Sequence, residues 1–256
     1  MDILTPSGAA IPAIGLGTWD LRGAACRDAV IAALAAGYRH IDTAAMYGNE
    51  EAVGEGLRRS GVPRDRVFLV TKVWPDTIGD GPLQRSAAAS ARRLGVDAVD
   101  LLLIHWPSRS IPLAESIAAL NDARRRGLAA HIGVSNFDAP MLTQAVRLSE
   151  APLVADQLPY HPGLDQSDLL TTCKTLGVAF VSYSPLAKRA VLTDRRIVGI
   201  AARHGRTAAQ IVLRWHVQQG CVAIPKSGDP QRIRENIAVV DFALSPEEMA
   251  AILALR

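Results

Sequence analysis

Val99-Asp100-Leu101-Leu102-Leu103-Ile104-His105 is an apolar run that ends abruptly in an ionisable side chain. Apart from Asp100 it shows no alternation of polar and apolar residues, so it reads as a strand buried on both faces, as in a parallel sheet. Similar runs recur at residues 13–17, 38–42, 67–72, 131–135, 153–157, 178–183 and 222–226. Helical patterns separate them, for example at 24–36, 82–94, 114–126 and 139–148. Thr207 and Gln210 form a capping box that opens a helix at 208–218, and Ser245, Pro246 and Glu248 open a last one. Eight strands, intervening helices and no linker predict one α/β domain over residues 1–256, a closed (β/α)8 TIM barrel. Residues 3–11 predict a β-hairpin at the barrel floor. The alternative, an open doubly wound sheet, announces its nucleotide with a glycine-rich turn after the first strand. Gly15-Leu16-Gly17-Thr18-Trp19-Asp20 lacks the third glycine of that turn.

Length and composition agree with this reading. The chain has 256 residues, near the roughly 250 of a complete barrel. Hydrophobic residues make up 49% and charged residues 21%, an ordinary globular balance. The net charge is +3 and the longest basic run is Arg124-Arg125-Arg126, which argues against a nucleic-acid partner. No signal peptide or membrane span is read, so the expected location is the cytoplasm. Cys26, Cys173 and Cys221 are odd in number and far apart, and read as small core residues rather than disulfides or a zinc site. No heptad or dimerisation helix appears, so a monomer is expected. Of 28 basic residues only Lys72, Lys174, Lys188 and Lys226 are lysines, which singles out the two at strand ends, Lys72 and Lys226.

Active sites of barrels lie at the carboxyl ends of the strands. Those ends here carry Thr18, Asp42, Lys72, His105, Ser135-Asn136, Gln157, Tyr183-Ser184 and Lys226-Ser227. One polar strand end is commonly a loop cap, but eight converging on one rim form a site. Tyr47 follows Asp42 closely. Its phenol has a reference pKa of about 10. An ammonium about 4 Å away, at an effective dielectric near 20, favours the phenolate by about 4 kcal/mol. Lys72 is the candidate ammonium, Asp42 would keep it charged, and His105 could donate to a substrate carbonyl oxygen. A metal held by Asp42 and His105 lacks a third ligand. A Schiff base on Lys72 competes, although a carboxylate neighbour makes that amine a poorer nucleophile. Lys226, Ser227 and Arg232 suit a phosphomonoester, either of a substrate or the 2′-phosphate of NADPH; a helix cap is the plain alternative.

Gly37-Tyr38-Arg39-His40-Ile41-Asp42-Thr43-Ala44, with Tyr47-Gly48-Asn49-Glu50 and Val53-Gly54, resembles the first signature of the aldo-keto reductases. Lys72, His105-Trp106-Pro107, Gly133-Val134-Ser135-Asn136-Phe137 and Ile224-Pro225-Lys226-Ser227 continue the match across the chain. It is most similar to small bacterial members that look like 2,5-diketo-D-gluconate reductases. The resemblance implies NADPH-dependent reduction of aldehydes or ketones, keto-sugars or 2-oxoaldehydes among them, with NADH less favoured. It implies Tyr47 as general acid, tuned by Lys72 and Asp42, with His105 orienting the carbonyl. Cofactor contacts are expected from Thr18, Trp19, Asp42, Ser184, Pro185 and Leu186. Tyr183 would stack on the nicotinamide, and Ser135, Asn136 and Gln157 would hold its carboxamide. Lys226, Ser227 and Arg232 would take the 2′-phosphate, with Glu235 and Asn236 near the adenine. Trp19, Trp74 and Trp106 would line the substrate pocket with Tyr47 and His105, whereas Trp215 reads as core. Three departures stand out. Asp156-Gln157-Leu158-Pro159 differs around its glutamine from the usual Asn-Gln pattern. Asp229 puts a carboxylate where repulsion is expected to weaken a preference for NADPH. The chain stops at Arg256, about where relatives begin a loop over the substrate, so reduced selectivity is expected. An NADPH-binding barrel without turnover is the non-enzymatic alternative.

Overall fold

The structure, a computed structural model, describes residues 3–4 and 8–255. Strands β1 (Ile3–Leu4), β2 (Ile11–Pro12), β3 (Leu16–Gly17), β4 (His40–Asp42), β5 (Phe68–Val73), β6 (Val99–Ile104), β7 (Ala129–Ser135), β8 (Leu153–Pro159), β9 (Ala179–Tyr183) and β10 (Val222–Ala223) occur in that order. From β3 to β10 each strand lies parallel to the next, in one eight-stranded sheet. The edges of the sheet meet. Gly15 N–H donates to Ala223 O at 2.9 Å, Ala223 N–H to Ala13 O at 2.8 Å, and Gly17 N–H to Pro225 O at 3.1 Å. A Cβ on Gly15 would lie 2.7 Å from the His40 ring, and one on Gly17 2.7 Å from Ile224 O. The two glycines that fail as a nucleotide turn therefore serve the seam, where backbone and ring approach too closely for a side chain.

Ten helices among the described residues surround the sheet: α1 (Gly23–Ala35), α2 (Glu50–Arg59), α3 (Pro82–Leu94), α4 (Leu113–Arg125), α5 (Ala139–Leu148), α6 (Ser167–Leu176), α7 (Arg195–His204), α8 (Ala208–Gln218), α9 (Pro230–Ile237) and α10 (Pro246–Leu253). The helices expected at 82–94, 139–148 and 208–218 have those bounds, the Thr207–Gln210 capping box closes as read, and the Ser245 cap with Glu248 at N3 closes a second one. The seam strands are shorter than their apolar runs. Only Leu16–Gly17 and Val222–Ala223 pair as strands, because Pro225 lacks an N–H and the closing pairs are isolated bridges at Ile14 and Gly17. None of the helices is long and apolar enough to cross a membrane.

Two apolar layers follow from strand alternation. Val70, Leu101, Leu103, Ala155, Val181 and Ile224 fill the barrel, and a larger cluster that includes Trp215 packs sheet against helices. Ala9 and Ile11 join the inner cluster, and β1 pairs antiparallel with β2; residues 5–7 of the expected hairpin lie outside the described residues. All three cysteines are free and buried, and burial pushes the thiol of Cys26 up to about 11 and that of Cys221 up to about 12.

Asp156 faces the helix layer, opposite to its neighbour Gln157, which points into the barrel mouth. It is fully buried and neither carboxyl oxygen has a hydrogen-bond partner. Burial raises its pKa well above the usual carboxylate value; the nearby Phe137 N–H opposes this without outweighing it, and the Asp138 charge adds to it. A carboxyl whose folded pKa is raised contributes full stability below its unfolded pKa of about 4 and loses it as the pH climbs to the folded value. Asp156→Asn removes that titration and is therefore expected to raise stability at pH 7 by about 1–4 kcal/mol, at about 1.4 kcal/mol for each pH unit above the unfolded pKa. Urea unfolding at pH 7 and pH 3.5 checks this: the gain should be large at the first and shrink at the second.

Candidate active site

The carboxyl ends of the strands bring the expected side chains to one mouth. Asp42 closes β4, Lys72 lies one residue before the end of β5, and His105 follows β6, with its N–H on Val73 O at 2.9 Å. Tyr47 ends a 3-10 turn (Ala45–Tyr47), after which Gly48 takes a left-handed conformation, φ 63°. Lys72 is 0% exposed and Asp42 1%, while Tyr47 at 9% and His105 at 7% keep a small opening. The three N–H donors of the Lys72 ammonium meet three acceptors: Asp42 Oδ1 at 2.5 Å, Thr43 O at 2.9 Å and Tyr47 Oη at 3.3 Å. Gln157 Nε2 donates to the other Asp42 oxygen at 2.7 Å.

Electrostatics at this cluster are a contest between burial and charge. Burial disfavours the Lys72 ammonium, but Asp42 and Tyr47 together outweigh it and hold its pKa above the usual lysine value. Burial raises the Tyr47 phenol, Lys72 pulls it down, and Asp42 pushes it up again; the net direction is up. The expectation from Lys72 alone had the opposite sign, because it left out desolvation. His105 is pushed down to about 3, first by burial and then by the Lys72 charge, so its ring is neutral.

Several side chains without a strand-end signal brace the Tyr47 turn. Buried Asn49 donates to Thr18 O at 2.9 Å and Leu21 O at 3.0 Å, and accepts from Thr43 Oγ1 at 2.8 Å. The Arg22 guanidinium donates to Tyr47 O. Buried Glu50 accepts from Thr71 Oγ1 at 2.6 Å and from Arg93 Nε at 2.7 Å, bracing β5 beside Lys72.

Around the mouth the remaining polar ends form a second network. Ser135 Oγ donates to Gln157 O at 2.7 Å, and Asn136 Nδ2 to His105 O at 2.9 Å and Ser135 Oγ at 3.0 Å. Tyr183 Oη donates to Asn136 Oδ1 at 2.9 Å, and Thr18 Oγ1 to Asp42 O at 2.9 Å. Asn136, φ 63°, and Ser184, φ 51°, hold left-handed backbone at this rim. The Trp19 ring meets Tyr47 edge-on at 5.0 Å between centroids, and Trp74 meets His105 at 5.2 Å. Trp19 and Trp106 are exposed, whereas Trp215 is core as expected.

From Trp19 a groove of about 710 Å3 leads away over the β9 and β10 ends. Of the residues expected at a cofactor, Trp19, Ser184, Pro185, Leu186, Lys226, Ser227, Arg232, Glu235 and Asn236 line it. Thr18, Asp42, Ser135, Asn136, Gln157 and Tyr183 belong to the barrel mouth instead. Asp20, Lys188, Arg189, Leu192 and Thr207 also line the groove and were not expected there, while Asp229 lines it at the corner where its carboxylate was expected. Lys188 and Arg189 sit in an irregular segment with φ of 51° and 79°, which has neither period to reveal it. The cap at α9 comes from Asp229, which takes the N–H groups of Gln231 and Arg232. Exposed cations beside a helix N-terminus give the groove the donor set of an anionic nucleotide. Among the described residues no three His, Cys, Asp or Glu side chains are grouped to hold a metal ion.

A family model described as "Aldo/keto reductase family" matches residues 13–256. A curated aldo-keto reductase of Mycolicibacterium smegmatis is 43% identical over 250 residues, covering 97% of this chain and 91% of its own length. One from Mycobacterium avium is 40% identical over 249 residues, covering 97% and 87%. Among solved structures, a protein assigned as a 2,5-diketo-D-gluconic acid reductase B matches with TM-score 0.95 and 45% identity, covering 99% of this chain and 90% of that one. The Bombyx mori aldo-keto reductase in complex with NADP matches with TM-score 0.91 and 35% identity, covering 98% and 93%.

Removal of Asn49 takes the partner from the Thr43 hydroxyl and from Leu21 O, and leaves Thr18 O with only the Leu21 N–H. Asn49→Ala is expected to lower stability by about 2–4 kcal/mol, from the cost of buried groups left unpaired. Denaturant unfolding measures that loss.

Proposed function

This chain belongs to the aldo/keto reductase family, whose members are NAD(P)H-dependent oxidoreductases that reduce carbonyl groups, and from that premise we propose how its own residues do so. The observation that carries the reading is the buried chain Asp42–Lys72–Tyr47, which places an ammonium 3.3 Å from a phenol at the barrel mouth. NADPH, when bound, supplies the hydride to the carbonyl carbon. The groove residues Lys226, Ser227 and Arg232 would hold its 2′-phosphate, with Glu235 and Asn236 at the adenine; Ser184, Pro185 and Leu186 would follow its backbone. Tyr183, Ser135, Asn136 and Gln157 would form the nicotinamide side, with Gln157 also fixing Asp42.

Tyr47 is the proton donor. Its raised pKa keeps the phenol protonated at neutral pH, so an acid is always present for the carbonyl oxygen. Once the proton has moved, the Lys72 ammonium favours the phenolate by about 5 kcal/mol at an effective dielectric of 20. Lys72 thus acts on the acid after transfer more than before it. His105 orients the substrate. Its Nδ1 is buried without a partner, so the proton is better placed on Nε2, where it can be donated to the substrate oxygen. Trp19, Trp74 and Trp106 would bound the substrate, a small aldehyde, a keto-sugar or a 2-oxoaldehyde. The N-terminal strands are read as a hairpin closing the floor, and the enzyme as a cytoplasmic monomer.

Loss of NADPH absorbance with a panel of aldehydes and keto-sugars tests the reading. Tyr47→Phe is expected to lower kcat by about 10²–10⁴, the usual worth of a positioned acid, while NADPH still binds. Equal turnover by the variant and the wild type would sink the assignment, and NADPH binding without any turnover would favour a sensor. In the wild type the reduction rate should hold across neutral pH and fall only as the pH passes the raised pKa of Tyr47, with no break from His105 near pH 6.5. Lys72→Met should lose activity and also about 3–5 kcal/mol of stability, since Asp42 is left buried and unpaired; thermal unfolding separates the two losses.

A further inference from the structure

We propose that Asp229 is a specificity-determining residue of the cofactor groove, an internal anion that weakens NADPH selectively and draws the affinities of NADPH and NADH together. The inference rests on the reading above that Lys226, Ser227 and Arg232 face the 2′-phosphate.

The corner where β10 passes into α9 is rich in donors, and Asp229 already holds several of them. Its Oδ1 accepts the N–H groups of Gln231 at 2.8 Å and Arg232 at 3.2 Å, the first free donors of the helix. Its Oδ2 lies 3.9 Å from Arg232 Nε. Its own N–H donates to Ser227 Oγ at 3.0 Å, and the Ser227 hydroxyl points back to Asp229 O at 3.3 Å. Lys226, Ser227, Asp229 and Arg232 all line the same groove. An anionic ligand arriving there meets the field of a helix N-terminus and two cations, but also a fixed carboxylate that competes for the same donors.

The effect is selective because the two cofactors differ only at this corner. A phosphate dianion is repelled by the carboxylate and must share Arg232 with it. The hydroxyl that NADH carries there is neutral and can itself donate to a carboxylate. For groups as exposed as these, repulsion between a monoanion and a dianion is worth about tenfold in affinity. A structural reason for an acid here exists, since Asp229 caps α9, but asparagine caps a helix about as well and carries no charge.

Asp229→Asn separates the two roles. Titration calorimetry of NADPH and NADH, without substrate, should show NADPH binding tightened about tenfold, NADH changed less than twofold, and an unaltered melting temperature. Lys226→Ala is measured beside it and should weaken NADPH while sparing NADH. If Lys226→Ala shifts the NADPH to NADH ratio and Asp229→Asn does not, the carboxylate has no such role and the proposal fails alone. If Lys226→Ala leaves the ratio unchanged, the 2′-phosphate does not bind at this corner, and the proposal falls with that reading.

Discussion

A fully buried ammonium is the constraint on which the barrel mouth depends. An ion the size of Lys72 Nζ costs several kcal/mol to remove from water, and only complete satisfaction of its donors offsets that cost. Each of its three N–H groups has an acceptor, and those acceptors come from β4, the segment after it and the Tyr47 turn. Gln157, 115 residues from Asp42 along the chain, completes the carboxylate. Strand register therefore has little freedom here: a slip of one residue would turn Lys72 into the helix layer, away from every partner. A pair of well-packed apolar side chains could give similar stability. What they could not give is a charge beside a phenol, and this is the sense in which the arrangement serves chemistry.

The rest of the molecule keeps that mouth rigid. The seam between the first and last strands needs Gly15 and Gly17, because His40 and Ile224 O fill the places where side chains would project. Asn49 ties the Tyr47 turn to the loop after β3, and that loop in turn presents Trp19 both to Tyr47 and to the groove. The Tyr47 phenol and the groove thus share one wall. Asp156 departs from this tight accounting, with both oxygens of a carboxyl buried without a partner where the strand faces the helices.

Electrostatics divide the site into two regimes. In the dry cluster desolvation comes first, so Tyr47 stays protonated and His105 stays neutral despite charges close by. At the exposed corner near α9 solvent screens every pair, and differences arise from which donors are already taken. The same residue type meets opposite surroundings in the two places. Asp42 is buried against the Lys72 ammonium and steadies it, whereas Asp229 is exposed and already holds N–H groups of Gln231 and Arg232 that an anion in the groove would need under the proposal above.

The barrel and the inventory of its mouth were legible along the chain alone, because both are local signals. Apolar runs mark strands buried on two faces, and the polar residue at each exit marks the end where a barrel places its chemistry. Asp42, Lys72 and His105 were legible in this way, Tyr47 from its place just after Asp42, and the helix caps at Thr207 and Ser245 from their residue types. Which groups meet, and which effect wins, came only with the packing of distant segments. Lys188, Arg189 and Thr207 reach the groove from segments whose local pattern carries no site signal. Gln157 turns its amide to Asp42 across the barrel, and Asp229, expected at the phosphate corner, is found also to cap α9. The direction of the Tyr47 shift also lay beyond the sequence, since desolvation is a sum over side chains distant along the chain that only folding gathers around one phenol.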